Sequence, residues 1–196
     1  MKSGGWRIDS SRYILYKFFN SLFLGLNVGT IFTIYSPLDP SIYSLGGIVL
    51  ALGMLAIARI YEKIMNIGYF FFISLFVEAV VLVMVTIYLL HPYGYMTALL
   101  IYSGYQLTFV FGAYLVRAET LALSDDTLLK SVDTYKQLGY LMGMSISWLL
   151  YKGMEYYGIE KPAEKVYLLH YALFTTELVI IVLLKASFRK EKIHKE

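Results

Sequence analysis

Leu75-Phe76-Val77-Glu78-Ala79-Val80-Val81-Leu82-Val83 is an apolar run with one carboxylic acid at its centre. Near the other end of the chain, Leu173-Phe174-Thr175-Thr176-Glu177-Leu178-Val179-Ile180-Ile181-Val182 repeats the arrangement. A glutamate in the middle of a membrane span costs a few kcal/mol and marks a functional site by default. Glu78 and Glu177 stand about half of the 196-residue chain apart. That spacing points to a duplicated architecture inside a membrane.

Composition agrees with the membrane. The chain is 58% hydrophobic and 16% charged, with a mean hydropathy of +0.61, whereas soluble domains carry about 25% charged residues. There is no cysteine, so disulfide frameworks, thiolate nucleophiles and zinc ribbons are excluded. A net charge of +3, confined to loops and tails, gives no footprint for nucleic acid. The 19 tyrosines fit interfacial belts.

A span needs about 20 mainly apolar residues. Six segments qualify: residues 13–35, 43–61, 67–90, 95–116, 132–152 and 166–184. The fifth is the most polar, with Lys136 and Gln137 in its first turns. All should be helices, because lipid leaves backbone groups no other partners. Asp9, Ser10 or Ser11 can cap the first. Residues 1–12 read as a polar tail without a cleavage site, 13–90 and 91–184 as two three-helix units, and 185–196 as a basic tail. Ser36-Pro37-Leu38-Asp39-Pro40-Ser41 and His91-Pro92-Tyr93-Gly94 are turns. Residues 117–131 form the longest interior loop, and Asp125, Asp126 and Asp133 read as its solvated, capping residues.

Of the 17 Lys and Arg residues, all but Lys152, Lys161 and Lys165 fall on one side of this topology. The positive-inside rule then puts both termini in the cytoplasm of an inner-membrane protein. Tyr35, Tyr43, Tyr88, Tyr93, Tyr95, Tyr151, Tyr156, Tyr157 and Tyr167 fall at the outer interface.

Three spans cross the membrane an odd number of times, so a duplicated triplet must be inverted. Glu78 and Glu177 lie at equal depth in the third and sixth segments, as a pseudo-two-fold axis in the membrane plane requires. The fold class expected is therefore all-α, a polytopic membrane protein of six transmembrane helices in two inverted three-helix repeats.

One stretch carries a family likeness. Leu45-Gly46-Gly47-Ile48, followed by Gly53-Met54-Leu55-Ala56-Ile57-Ala58-Arg59-Ile60-Tyr61-Glu62-Lys63, resembles the second span and following loop of the major facilitator superfamily. The loop's glycine-aspartate-arginine signature is absent; Arg59, Glu62, Lys63 and Gly68 stand in loosely. Arg117-Ala118-Glu119 adds a second likeness at the inner end of span 4. The resemblance covers residues 13–188 and amounts to one six-helix half of such a transporter. It implies pairing, as a homodimer or with a second half-size chain. It also implies that spans 1 and 4 line a path, 2 and 5 meet the other half, and 3 and 6 support from outside.

Spans 1 and 4 carry the candidate solute-binding residues. Asn20, Asn27 and Thr30 lie close to one helical face of span 1, and Tyr102, Tyr105 and Gln106 share a face of span 4. Such residues can build a polar-aromatic cavity or bond helices together. Gly25 and Gly29 in span 1 allow close helix approach. Gly46, Gly47 and Gly53 in span 2, with Gly139 and Gly143 in span 5, mark close packing that suits pairing spans. Arg59 and Arg117 either snorkel or pair with Glu62 and Glu119. Glu78 and Glu177 admit two readings. A carboxyl in low dielectric prefers its neutral form and can carry a proton across, or it can hold helices together by hydrogen bonds.

Nothing in the chain points to catalysis. His91, His170 and His194 have no metal-ligand spacing, and neither a nucleophile elbow nor a phosphate loop is present. No enzyme activity, metal or cofactor is expected. The functional expectation is a half-size secondary transporter that moves a small solute by alternating access in a lipid membrane, with proton coupling at the two glutamates. The other class is a non-transporting membrane subunit or scaffold of a larger complex.

Overall fold

The computed structural model describes residues 5–190. Among these the chain is helical apart from two short strands. In order they are β1 (Trp6–Ile8), α1 (Ser10–Tyr35), α2 (Pro40–Arg59), α3 (Tyr61–Ile64), α4 (Ile67–Leu90), α5 (Tyr95–Val110), α6 (Gly112–Ala122), α7 (Asp126–Tyr156), α8 (Pro162–Ser187) and β2 (Phe188–Lys190). Lys2, Lys192, His194 and Lys195 of the expected tails lie outside the described residues.

Helix starts follow local chemistry. Asp9, Asn66 and Asp125 accept hydrogen bonds from the backbone N–H groups of Arg12, Tyr69 and Thr127, satisfying donors that the first turn leaves open. Pro40 and Pro162 occupy first-turn positions, where a missing N–H costs nothing. Asp39 caps α2 through Ser41, and that hydrogen bond holds its carboxyl below the usual range. Gly158, with φ of 81°, ends α7 in a conformation that suits glycine.

Five stretches are long and apolar enough to cross a membrane: Ser10–Tyr35, Pro40–Arg59, Ile67–Leu90, Tyr95–Ala122 and Pro162–Ser187. Segment 132–152 lies inside α7, a helix of 31 residues, about 45 Å long at 1.5 Å per residue. It is not among those five, because even beyond its charged first turns Gln137, Ser145, Ser147, Lys152 and several glycines and tyrosines dilute its apolar residues. A loop over 117–131 is not found. Helix α6 runs to Ala122 and α7 starts at Asp126, leaving three residues between them. Asp133 is therefore helical, paired with Lys136 one turn on. Span 4 is broken at Phe111, whose N–H turns back to Thr108 in a tight 3₁₀ bond before α6 resumes.

Helix α1 is the axis of the bundle. It packs along α7 and α8; α8 packs on α4, α4 on α5, and α5 on α2. Helix α2 has no buried residue and turns Leu45, Ile48, Leu52 and Leu55 outward. Strands β1 and β2 pair antiparallel, Trp6 opposite Lys190 and Ile8 opposite Phe188, so both ends of the described chain meet at one end of the bundle. Trp6 stacks on Phe71 at 5.0 Å, and Phe188 packs against Tyr13 and Phe70. The sequence gives no alternation long enough to announce this ribbon. At the opposite end, Tyr35 and Tyr43 pack on Tyr102, and Tyr88 and Tyr167 on Tyr93. Glu155 there bonds Lys152 and Lys165, ions that pull its carboxyl down to about 2.

The glycines of span 5 do not serve an outward pairing face. A Cβ at Gly143 would meet the backbone of Leu22 and Leu26, and one at Gly139 that of Phe18 and Leu22. Gly25 returns the contact against Tyr140 and Met144. Gly46 and Gly53 likewise face Tyr102 and Val110 within the chain. Small residues let backbones approach where hydrophobic driving force between helices is weak. Gly143→Ala should therefore force α1 and α7 apart and lower stability in detergent by about 1–3 kcal/mol, the range for overpacking. Gly153→Ala, with open space around it, is the control and should leave the melting midpoint unchanged or higher. Equal midpoints for the two variants would contradict the packing argument.

Candidate functional site

One face of α1 presents Tyr13, Tyr16, Lys17, Asn20, Asn27 and Thr30, and each meets a polar partner from another helix or within its own. The face begins nearest the β ribbon. There Glu119 of α6, 6% exposed, accepts from the Tyr13 hydroxyl at 2.8 Å. It also pairs with Lys17 Nζ at 2.9 Å and Lys136 Nζ of α7 at 3.3 Å. Lys17 stands over the rings of Tyr13 and Tyr16.

One turn deeper, Glu78 of α4 is 3% exposed. One of its oxygens accepts from the Tyr16 hydroxyl at 2.7 Å and from Asn20 Nδ2 at 3.0 Å. Deeper again, the Asn27 amide donates to the Tyr105 hydroxyl of α5, and the Thr30 hydroxyl donates to the Asn27 side chain and, at 2.9 Å, to its carbonyl.

Glu177 of α8 is fully buried, and neither carboxyl oxygen has a hydrogen-bond partner. Along α1, Asn20 thus meets Glu78 of α4, and about 10 Å further on Asn27 and Thr30 meet Tyr105 of α5, while Glu177 is buried on α8.

Tyr102 and Gln106 go elsewhere. They line a groove of about 290 Å³ between α2 and α5, with Ile42, Gly46, Val49, Ser103 and Leu107. The Tyr102 hydroxyl donates to the Tyr43 carbonyl at 3.2 Å. The expected shared face of Tyr102, Tyr105 and Gln106 is corrected here. Tyr105 lies about 100° round the helix from Gln106, so it faces α1 while the others face α2. The groove is mostly apolar, and the Gln106 carbonyl oxygen is buried in it without a partner.

One further expectation changes. Glu119 is held by Lys17 and Lys136, while Arg117 stands 5.8 Å from the centre of the Tyr61 ring. His170, buried two turns from Glu177, places Nδ1 2.7 Å from the Val166 carbonyl and its ring 4.0 Å from that of Tyr88. Among the described residues no group of three His, Asp or Glu could hold a metal ion.

The Glu119 network is absent from the sequence-based candidates. Its signal was present: Lys17, Lys136 and Glu119 are charges set inside or at the edge of apolar segments on the same side. Removing one partner of a buried pair costs about 3–5 kcal/mol, because the other charge is left alone. Lys136 is 30% exposed, which places Glu119→Ala at the low end, about 3 kcal/mol. Adding Lys17→Leu to Glu119→Leu should recover part of the loss. Thermal melting in detergent checks both, and additive losses in the double variant would contradict a coupled network. No family model, curated protein or solved structure matches this chain, so the functional reading rests on this geometry.

Proposed function

We propose that the chain is a half-size secondary transporter of a small solute, with six spans in two inverted triplets and proton coupling at the buried glutamates. The observation that carries the reading is the polar face of α1, which meets the buried Glu78 at Asn20 and Tyr105 at Asn27, together with a fully buried Glu177 on α8. Ionisable groups inside a membrane segment belong to pathways or relays far more often than to surfaces.

The helix neighbours support the inverted repeat. Exchanging α1 with α5–α6, α2 with α7, and α4 with α8 turns the contact of α1 with α7 into that of α5 with α2. It turns α1 with α8 into α5 with α4, and leaves α4 with α8 unchanged. The broken fourth span fits as well, since discontinuous helices recur at transporter binding sites. Helix α7 is the remaining span. Its polar first turns bury Lys136 against Glu119, and its outer face is apolar at Leu141, Trp148 and Leu149. The skew of Lys and Arg puts both termini in the cytoplasm of an inner membrane. The resemblance to one half of the major facilitator superfamily supplies the pairing, as a homodimer or with a second half-size chain.

A specific observation favours a second reading, a non-transporting subunit or scaffold. Asn27, Thr30 and Tyr105 satisfy one another inside a single chain, which is what helix-bonding residues do. Flux separates the two. Purified protein goes into liposomes loaded with a pH-sensitive dye, alone and with the product of a neighbouring gene, and a panel of small solutes is added. Transport predicts proton movement with at least one solute, reduced tenfold or more by Glu177→Gln. Absence of proton and solute movement in both preparations would overturn it and leave the scaffold.

A further inference from the structure

The two glutamates occupy unequal surroundings, and the inequality separates their roles. Glu78 receives two hydrogen bonds from donors on α1. Those donors suit an ionised carboxylate, which only accepts. Glu177 receives none at either oxygen and is fully buried. An isolated ion there would lose its hydration with nothing in return, and such groups neutralise instead.

Charge balance leads to the same place. Three carboxylates are buried in the described interior: Glu78, Glu119 and Glu177. Two ammonium groups, Lys17 and Lys136, reach them, and both bond Glu119. Lys17 pairs with Glu119 at 2.9 Å. The cluster is short of one positive charge, and Glu177 is the member with neither a cation nor a hydrogen-bond donor. Neither glutamate lines the groove between α2 and α5, where a larger cation would have room.

We propose that Glu177 is the single proton-binding site of the chain, while Glu78 stays ionised as a fixed acceptor that positions Tyr16 and Asn20. Of the ionisable groups inside the bundle, Glu78 comes from α4, Tyr16 and Lys17 from α1, the two helices packed most closely on α8, and Tyr105 from α5. His170 lies two turns from Glu177 on α8 itself, its Nδ1 at the Val166 carbonyl. The assignment deepens the transport reading and rests on that reading for its use. One proton crosses per chain and per cycle, not one at each acid.

Infrared spectroscopy of the full chain in bilayers tests it directly. A protonated carboxyl in an apolar site has a carbonyl stretch distinct from that of carboxylate. The account expects one such band at neutral pH, lost in Glu177→Gln and retained in Glu78→Gln. Glutamine has the shape and neutrality of the protonated acid, so Glu177→Gln should also melt within a few degrees of the parent chain. A band lost only in Glu78→Gln, in both variants or in neither overturns the assignment. So does a Glu177→Gln chain that no longer folds. The measurement needs no transport: the expected band with silent vesicles would keep the proton site and remove the transporter. Flux with the band at Glu78 would do the reverse.

Discussion

A charge that leaves water for a membrane interior must find its counter-charge within the protein. Nearly every polar contact in the interior of this chain answers that constraint through one helix. Helix α1 supplies Tyr13 and Lys17 to Glu119, and Tyr16 and Asn20 to Glu78. Further along it supplies Asn27 to Tyr105. To do so it must be surrounded, and its glycine contact with α7 brings the second lysine, Lys136, to Glu119. Packing and electrostatics are therefore one problem here. The backbone approach at Gly25, Gly139 and Gly143 is what lets the charges meet.

The long apolar segments were legible because their length and composition are set by the solvent, not by tertiary context. The third segment, 67–90, matches α4 at both ends. The cap at Asp9 was one of three candidates because capping is local, whereas Asp125 was read as a loop residue and caps a helix that starts six residues earlier than expected. What escaped depends on long-range contact. Tyr13 and Glu119 are 106 positions apart, and nothing near either announces the other. The polar stretch after residue 116 looked like a loop, yet it is helical because Tyr114 and Glu119 find partners in the core. The span 5 glycines pointed to close packing but not to which helix they meet. For the site, residue types were readable and directions were not. Tyr105 joins Asn27 while Tyr102 and Gln106, a few positions away, turn to α2.

Under the transport proposal this arrangement would be a closed state: Asn27, Thr30 and Tyr105 satisfy one another, and the ribbon of β1 and β2 ties α1 to α8 at one end. Helix α2 and the outer face of α7 expose apolar side chains such as Leu52, Leu55, Leu141 and Trp148. Opening would have to part Asn27 from Tyr105, the contact of α1 with α5. Phe111, between α5 and α6, lies six residues beyond Tyr105.

Because the chain has no cysteine, single thiols can report that opening cleanly. Asn27→Cys and Tyr105→Cys, placed one at a time in membrane vesicles, are exposed to a membrane-impermeant thiol reagent, with Tyr157→Cys at an exposed turn as the positive control. The account predicts that both buried positions become labelled from the aqueous phase, because a transport path must admit water to them in some state. Full labelling at position 157 with none at 27 or 105, from either side and at any pH, would contradict it.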